Sequence, residues 1–328
     1  MNRRELILGL TSAIVFPSVY SCVENDGNKE LNPIALPKGF QYPNGITRSS
    51  DGTVYVGSIT SGEILQIFPT DKGKGGIKPF FSGDKEIFAV TTLRLDEPRG
   101  ILWGASPDVL GNVGKQHRIF AIDINSNKVL KIITVPDGGF GNDIALDFDG
   151  GVYVTDSLKP RILYLPPGAT QFQVWVENQL FRTRKRFGLS GIARRKDGVL
   201  FVTMYSDGRL FKVNPNRTVE EIELPRIIDG SDAIALADDG SLLMIEGGVE
   251  NGNGRLLKLQ GLETDAKNKR EFKPEFKVLA SGMDLPVNLT VEDKEVLLTE
   301  SLFSHLFVPG KKKEIPNQFF VRRFSLRS

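Results

Sequence analysis

The chain has 328 residues, 42 Lys and Arg against 40 Asp and Glu, a formal charge of +2 and a single cysteine. So balanced a charge, with no basic tail, argues against nucleic acid as the partner, and one cysteine excludes a disulfide within the chain. A closed β architecture of this length forms a single domain with a large buried core.

The N-terminus differs in composition from everything after it. Arg3 and Arg4 precede an apolar run from Leu6 to Phe16, a basic region followed by a hydrophobic one of signal-peptide length. Asn2-Arg-Arg-Glu-Leu-Ile7 resembles a twin-arginine export signal. Cys22 follows in Val19-Tyr-Ser-Cys22, which is similar to a lipobox. The expectation is therefore an export signal over residues 1–22, a linker over 23–30 and one domain over 31–328. The protein would be periplasmic, with lipid anchoring through Cys22 or ordinary cleavage near residue 22 as the alternatives. No other apolar stretch is long enough to cross a membrane as a helix.

From residue 44 onward one pattern returns six times: a polar residue, an apolar strand, a tight turn and a second strand. The clear copies begin at Asn44, Asn142, Ser190 and Asp232, and worn ones at Thr91 and Val287, so the steps are 47, 51, 48, 42 and 55 residues. Repeats at this spacing indicate an array or a propeller. The turn between the first two strands carries Asp-Gly in four copies, at Asp51, Asp149, Asp197 and Asp239, a strong hairpin signal. Third strands follow at Gly62 to Ile67, Arg118 to Ile122, Arg161 to Leu165, Gly208 to Val213 and Gly254 to Leu259. Fourth strands follow at Lys78 to Phe81, Lys131 to Val135, Phe172 to Val176, Val219 to Leu224 and Glu275 to Leu279. The predicted fold is all-β, a six-bladed β-propeller of four-stranded blades.

Phe319 to Leu326 fits the third-strand pattern, which leaves the sixth blade one strand short. Leu31 to Leu36 stands where a fourth strand would precede the first blade. This N-terminal strand is expected to close the ring and pair an otherwise open edge. The alternative makes residues 31–36 a linker and Phe319 to Leu326 the fourth strand. Trp103 and Trp175 fall within strands and are assigned to packing.

Strand direction alternates within a blade, so fourth-to-first and second-to-third loops share one face, opposite the Asp-Gly turns. Long loops at Ala105 to His117, Gly247 to Asn253 and Leu302 to Gln318 lie on that face with the leading positions, where rigid β scaffolds hold their sites. Asn44, Thr91, Asn142, Ser190, Asp232 and Val287 or Asn288 then ring the channel mouth, with Asp143 beside Asn142. Converging oxygen ligands suit Ca²⁺; the competing reading is that these residues cap local backbone at the strand entries. His117 and His305 lie in loops of the same face, and His117 is the better placed general base. In the run Arg182-Thr-Arg-Lys-Arg186, Arg184 could attract an anionic group of a substrate. Lys311 to Lys313 shares the face and would meet anionic lipid if Cys22 were anchored, whereas Arg194 to Lys196 lies at an Asp-Gly turn.

Gly141-Asn142-Asp143-Ile144, Gly191-Ile192 and Ser231-Asp232-Ala233 together resemble the gluconolactonase, senescence-marker-protein and luciferin-regenerating-enzyme superfamily, over nearly all of the chain after residue 30. The resemblance implies a divalent metal, commonly Ca²⁺, at the channel mouth and hydrolysis of lactones or related esters. It implies Asp232 as metal ligand and general base, Asn142 as a metal ligand that also lines the substrate site, and Asn44 and Ser190 at the remaining metal positions, where Asp143 would supply a compensating carboxylate. Asn44 stands where that family has glutamate, and Ser190 where it has asparagine. Blade repeats such as Tyr42-Pro-Asn-Gly-Ile46 also occur in NHL-type propellers without enzymatic role, and a metal-free strictosidine-synthase-like enzyme fits the missing glutamate. The expected partner is a small-molecule substrate and the expected state a monomer. No Ser-His-Asp elbow, phosphate loop, nucleotide-binding glycine fingerprint, HExxH or paired-cysteine motif occurs.

Overall fold

The computed structural model describes residues 29–69, 75–109, 111, 115–248, 252–262, 273–307 and 315–326. They form six antiparallel four-stranded sheets, each with its strands in chain order except the one that closes the ring. Residues 1–22, where an export signal is expected, and with them Cys22, lie outside the described residues, as does Lys311 to Lys313.

Each hairpin begins from local chemistry. The Asp-Gly turns place Gly52, Gly150, Gly198 and Gly240 at φ between 79° and 90°, a region that an L side chain resists. In three of these turns the aspartate carboxylate, from Asp51, Asp197 or Asp239, accepts a hydrogen bond from the backbone N–H two residues on. The strands that follow are apolar on both faces, because a blade packs against a neighbour on either side. Ile46, Val56, Leu65 and Ile67 of blade one share a core with Leu297 and Val321 of blade six. Phe201 and Leu210 of blade four meet Ile234, Met244 and Leu257 of blade five. Trp103 and Trp175 are buried in such clusters.

The ring closes as the sequence suggests. Lys29–Ala35 pairs antiparallel with Phe320–Ser325, and Leu36 N donates to Phe319 O at 2.9 Å. Phe320–Ser325 is the third strand of blade six, so the earliest described strand supplies its outer edge. Arg322 reaches Glu30 at 2.8 Å across this seam.

Two devices bring the inner strands together. Second-strand threonines bond the neighbouring blade: Thr155 Oγ1 donates to Ser190 O at 2.5 Å, Thr203 Oγ1 to Asp232 O at 3.2 Å and Thr299 Oγ1 to Asn44 O at 2.6 Å. Where backbones approach most closely a side chain is excluded. A Cβ on Gly191 would lie 2.3 Å from Asp232 O, and one on Gly45 2.8 Å from the carbonyl carbon of Thr92.

Candidate active site at the channel mouth

Five of the six first strands carry a β-bulge at the leading position. The ladder slips between Pro43 and Ile46, Gly141 and Ile144, Leu189 and Ile192, Ser231 and Ile234, and Pro286 and Asn288; only blade two pairs without a shift, Thr92 opposite Ala105. A bulge sets two residues against one and re-aims their side chains. It turns Asn142 and Asp143, sequence neighbours, to different work.

Asp143 is buried and takes donors from three blades. Thr92 Oγ1 and Ile144 N bond Oδ1 at 2.6 and 2.9 Å, Ile192 N bonds Oδ2 at 3.0 Å, and the Arg94 guanidinium lies 3.0 Å away. Asn288 does similar work from blade six: its Oδ1 accepts from Leu289 N, and its Nδ2 reaches Thr91 O of blade two at 3.1 Å. That bond joins blades two apart in the ring. Ser190 is fully buried, its Oγ bonding Ser231 O at 2.6 Å and Thr203 Oγ1 at 2.9 Å. Asp143 and Ser190, expected as metal ligands, thus have their oxygens engaged in ties between blades.

Asn142, Asn44 and Asp232 remain at the mouth. Asn142 Nδ2 donates to Ser157 Oγ at 2.8 Å, which leaves its amide oxygen to the channel. Asp232 is half-buried and its carboxyl makes no hydrogen bond or ion pair among the described residues. Loss of solvent, then the nearby Asp143 charge, pushes its pKa up to about 8. Both effects penalise a second negative charge in a low-dielectric cup. Tyr205, from the second-to-third loop of blade four, feels Asp232 and Asp229, and burial with these two charges raises its pKa well above the ordinary phenol value. Its hydroxyl makes no hydrogen bond among the described residues and remains a donor through neutral pH.

His117 joins this face. The backbone N–H of Asp108 donates to its Nδ1 at 3.1 Å, and burial lowers its pKa despite Asp108 and Asp156. A neutral imidazole with its Nδ1 lone pair occupied presents its Nε2 proton, the donor side of the ring. His305 sits in the one-turn helix Ser304–Phe307 of blade six. Arg184 is exposed on the fourth-to-first loop ahead of blade four.

One group of residues escapes the repeat-based reading. The rings of His117, Phe140, Phe187 and Tyr205 form a row across blades two to four, with successive centroids 4.9, 5.6 and 6.2 Å apart. A signal for part of it was present: an aromatic residue precedes the leading polar position by two or three residues at Tyr42, Phe140 and Phe187.

The donor set bears on the implied metal. Ca²⁺ takes six to eight oxygens and gains affinity with carboxylate count. Here one free carboxylate, Asp232, faces the mouth with two amide side chains, and no group of three or more His, Cys, Asp or Glu side chains converges among the described residues. These residues do not fit a resident divalent ion.

No family model and no curated protein matches the chain. Solved structures do. Virginiamycin B lyase from Staphylococcus aureus superposes with a TM-score of 0.60 at 14% identity, over 92% of this chain and 100% of that one. The PQQ-bound aldose sugar dehydrogenase of Streptomyces coelicolor gives 0.59 at 14%, over 91% and 97%. A candidate gluconolactonase gives 0.60 at 13%, over 92% of each chain. At this identity the likeness establishes the propeller alone, a scaffold that carries unrelated chemistries.

Proposed function

We propose that this protein is an exported hydrolase of a lactone or related ester, acting at the channel mouth by general-base catalysis and without a resident metal ion. One observation carries the reading: Asp232 is a carboxyl with no hydrogen bond or ion pair among the described residues, and burial beside the Asp143 charge raises its pKa to about 8. A base is most effective when its pKa lies close to the working pH. Solved neighbours that include a lyase and a candidate gluconolactonase on the same fold agree with an enzymatic role, and the basic, then apolar, N-terminal segment supports export.

In this mechanism ionised Asp232 takes a proton from a water molecule as its oxygen bonds the carbonyl carbon. Tyr205 donates a hydrogen bond to the carbonyl oxygen as negative charge develops there. Collapse of the tetrahedral intermediate breaks the acyl–oxygen bond, and the proton held by Asp232 passes to the departing oxygen. Acid and alcohol are the products, and the carboxylate is restored. Asn142, fixed by Ser157, orients the substrate.

The test is a pH–rate profile on aldonolactones, dihydrocoumarin and aryl esters. The expected kcat/KM rises with pH through an apparent pKa near 8, and Asp232→Asn lowers it by about 10²- to 10⁴-fold and abolishes the rise. Lack of turnover on the whole panel, or an unaltered profile in the variant, would favour a binding propeller instead. Thermal unfolding should not shift with Ca²⁺, Mn²⁺, Zn²⁺ or chelator. A shift removed by Asp232→Ala would reinstate a metal, since a ligand of the folded state raises the midpoint.

A further inference from the structure

The row of rings beside Asp232 is more than packing. Phe140 is its buried member, 6% exposed, whereas His117, Phe187 and Tyr205 each retain accessible surface. The loops that carry the row are tied to one another: Tyr205 N donates to Gly188 O at 2.8 Å and Gly188 N to Ser157 O at 2.7 Å. Phe187 and Tyr205 are thereby fixed on the side of the mouth where the electrostatic influence of Asp232 reaches the Tyr205 ring. Exposed apolar side chains flank them on loops of the same face, Leu158 at 48% and Ile227 at 73%. A rigid aromatic surface open on one side lacks a partner that is itself flat and apolar.

The charges around it are uneven. Arg209 pairs with Glu221 and Arg226 with Glu246, and Lys185 Nζ bonds Ser206 O. Arg184 and Arg186 are exposed and have no carboxylate partner among the described residues. The Arg186 guanidinium lies over the Phe187 ring, 4.9 Å from its centroid, so a cation already sits against one ring of the row. Planar guanidinium groups bind carboxylates through two parallel donors.

We propose that the molecule recognised at the mouth is a planar aromatic carboxylate, or an ester or lactone that keeps a free carboxylate on its aromatic ring, the ring laid against Phe187 and Tyr205 and the carboxylate held by Arg184 and Arg186. The identity of the bond cleaved rests on the reading of Asp232 given above; the recognition of ring and charge does not. Binding is therefore measured apart from turnover.

The experiment is titration calorimetry of the purified protein with three probes: 2-naphthoate, its neutral amide and cyclohexanecarboxylate. Naphthoate is expected to bind, and each of the other two to bind about tenfold more weakly, since one lacks the charge and the other the π face. Phe187→Leu keeps apolar bulk but removes the ring, and should weaken naphthoate about five- to tenfold. The double variant Arg184→Gln, Arg186→Gln should weaken it about tenfold and flatten its salt dependence. Equal affinity for the three probes, no binding of naphthoate, or indifference to both variants would overturn the proposal. Naphthoate binding by the parent protein, lost in the two variants, together with no turnover of any lactone or ester by that parent, would uphold this inference and sink the hydrolase.

Discussion

Asp143 and Asp232 lie on the first strands of blades three and five, carry the same side chain and reach opposite fates. Asp143 accepts from Thr92, Ile144, Ile192 and Arg94; Asp232 accepts from no described group. Removing the first is expected to be costly. Asp143→Ala leaves Arg94 without its counter-charge and two buried N–H groups unbonded, and should lower stability by about 3–5 kcal/mol in urea unfolding. Removing the second should do the reverse. Its pKa is raised from an ordinary 3.8 to about 8 in the folded protein, so between those values the folded state holds a proton that the unfolded chain has lost. Stability from this group therefore declines as pH rises from about 4 to about 8 and levels off above. Asp232→Asn removes that penalty: its melting point should exceed the parent's by roughly 2 °C or more at pH 8.5, and the gap should close toward pH 4. The sequence marked both aspartates as site candidates, because type and repeat position were all it could offer. Which one keeps free oxygens depends on donors 49 and 51 residues away in neighbouring blades.

At the scale of strands and loops, the bulge is the feature that makes a site from a repeat. It appears wherever the leading polar residue is followed by Gly45, Asp143, Gly191 or Ala233, and it is absent from blade two, where Thr92 pairs normally with Ala105. Gly191 reads in the sequence as part of a family-like motif; in the structure its missing Cβ is what lets Asp232 O approach. Gly191→Ala is therefore expected to move the strand that holds Asp232, with a loss of about 1–3 kcal/mol in thermal or urea unfolding and a fall in any activity that depends on Asp232. The aromatic row was less legible. His117 drew attention as a titratable residue in a loop, whereas Phe140 and Phe187 read as ordinary apolar residues, and only the convergence of three blades' loops sets these rings edge to face.

For the whole molecule, ring closure is the decisive event, since five complete blades and a three-stranded sixth would leave an open edge. The seam rests on the Lys29–Ala35 pairing, on Leu36, which is buried in the blade-one core, and on the Arg322 to Glu30 pair. A chain beginning at residue 37 should therefore melt at a lower temperature and self-associate in light scattering, while one beginning at residue 29 should remain folded. The shared architecture with a lyase, a dehydrogenase and a candidate gluconolactonase shows why the fold could not name the reaction.

The sequence by itself determined the number of blades, the strand order within them and the position of the turns, and it left two readings of ring closure, between which the Lys29–Ala35 pairing decided. The first three follow from local chemistry repeated at a fixed step, Asp-Gly for the turn and alternating polar and apolar segments for the strands. Only the tertiary structure decided which polar residues are free. That outcome depends on how closely two backbones approach, where a bulge turns a side chain, and whether a donor from another blade has already claimed an oxygen. Such distances are set between residues far apart in the chain, so the repeat located the channel mouth while its neighbours selected Asp232.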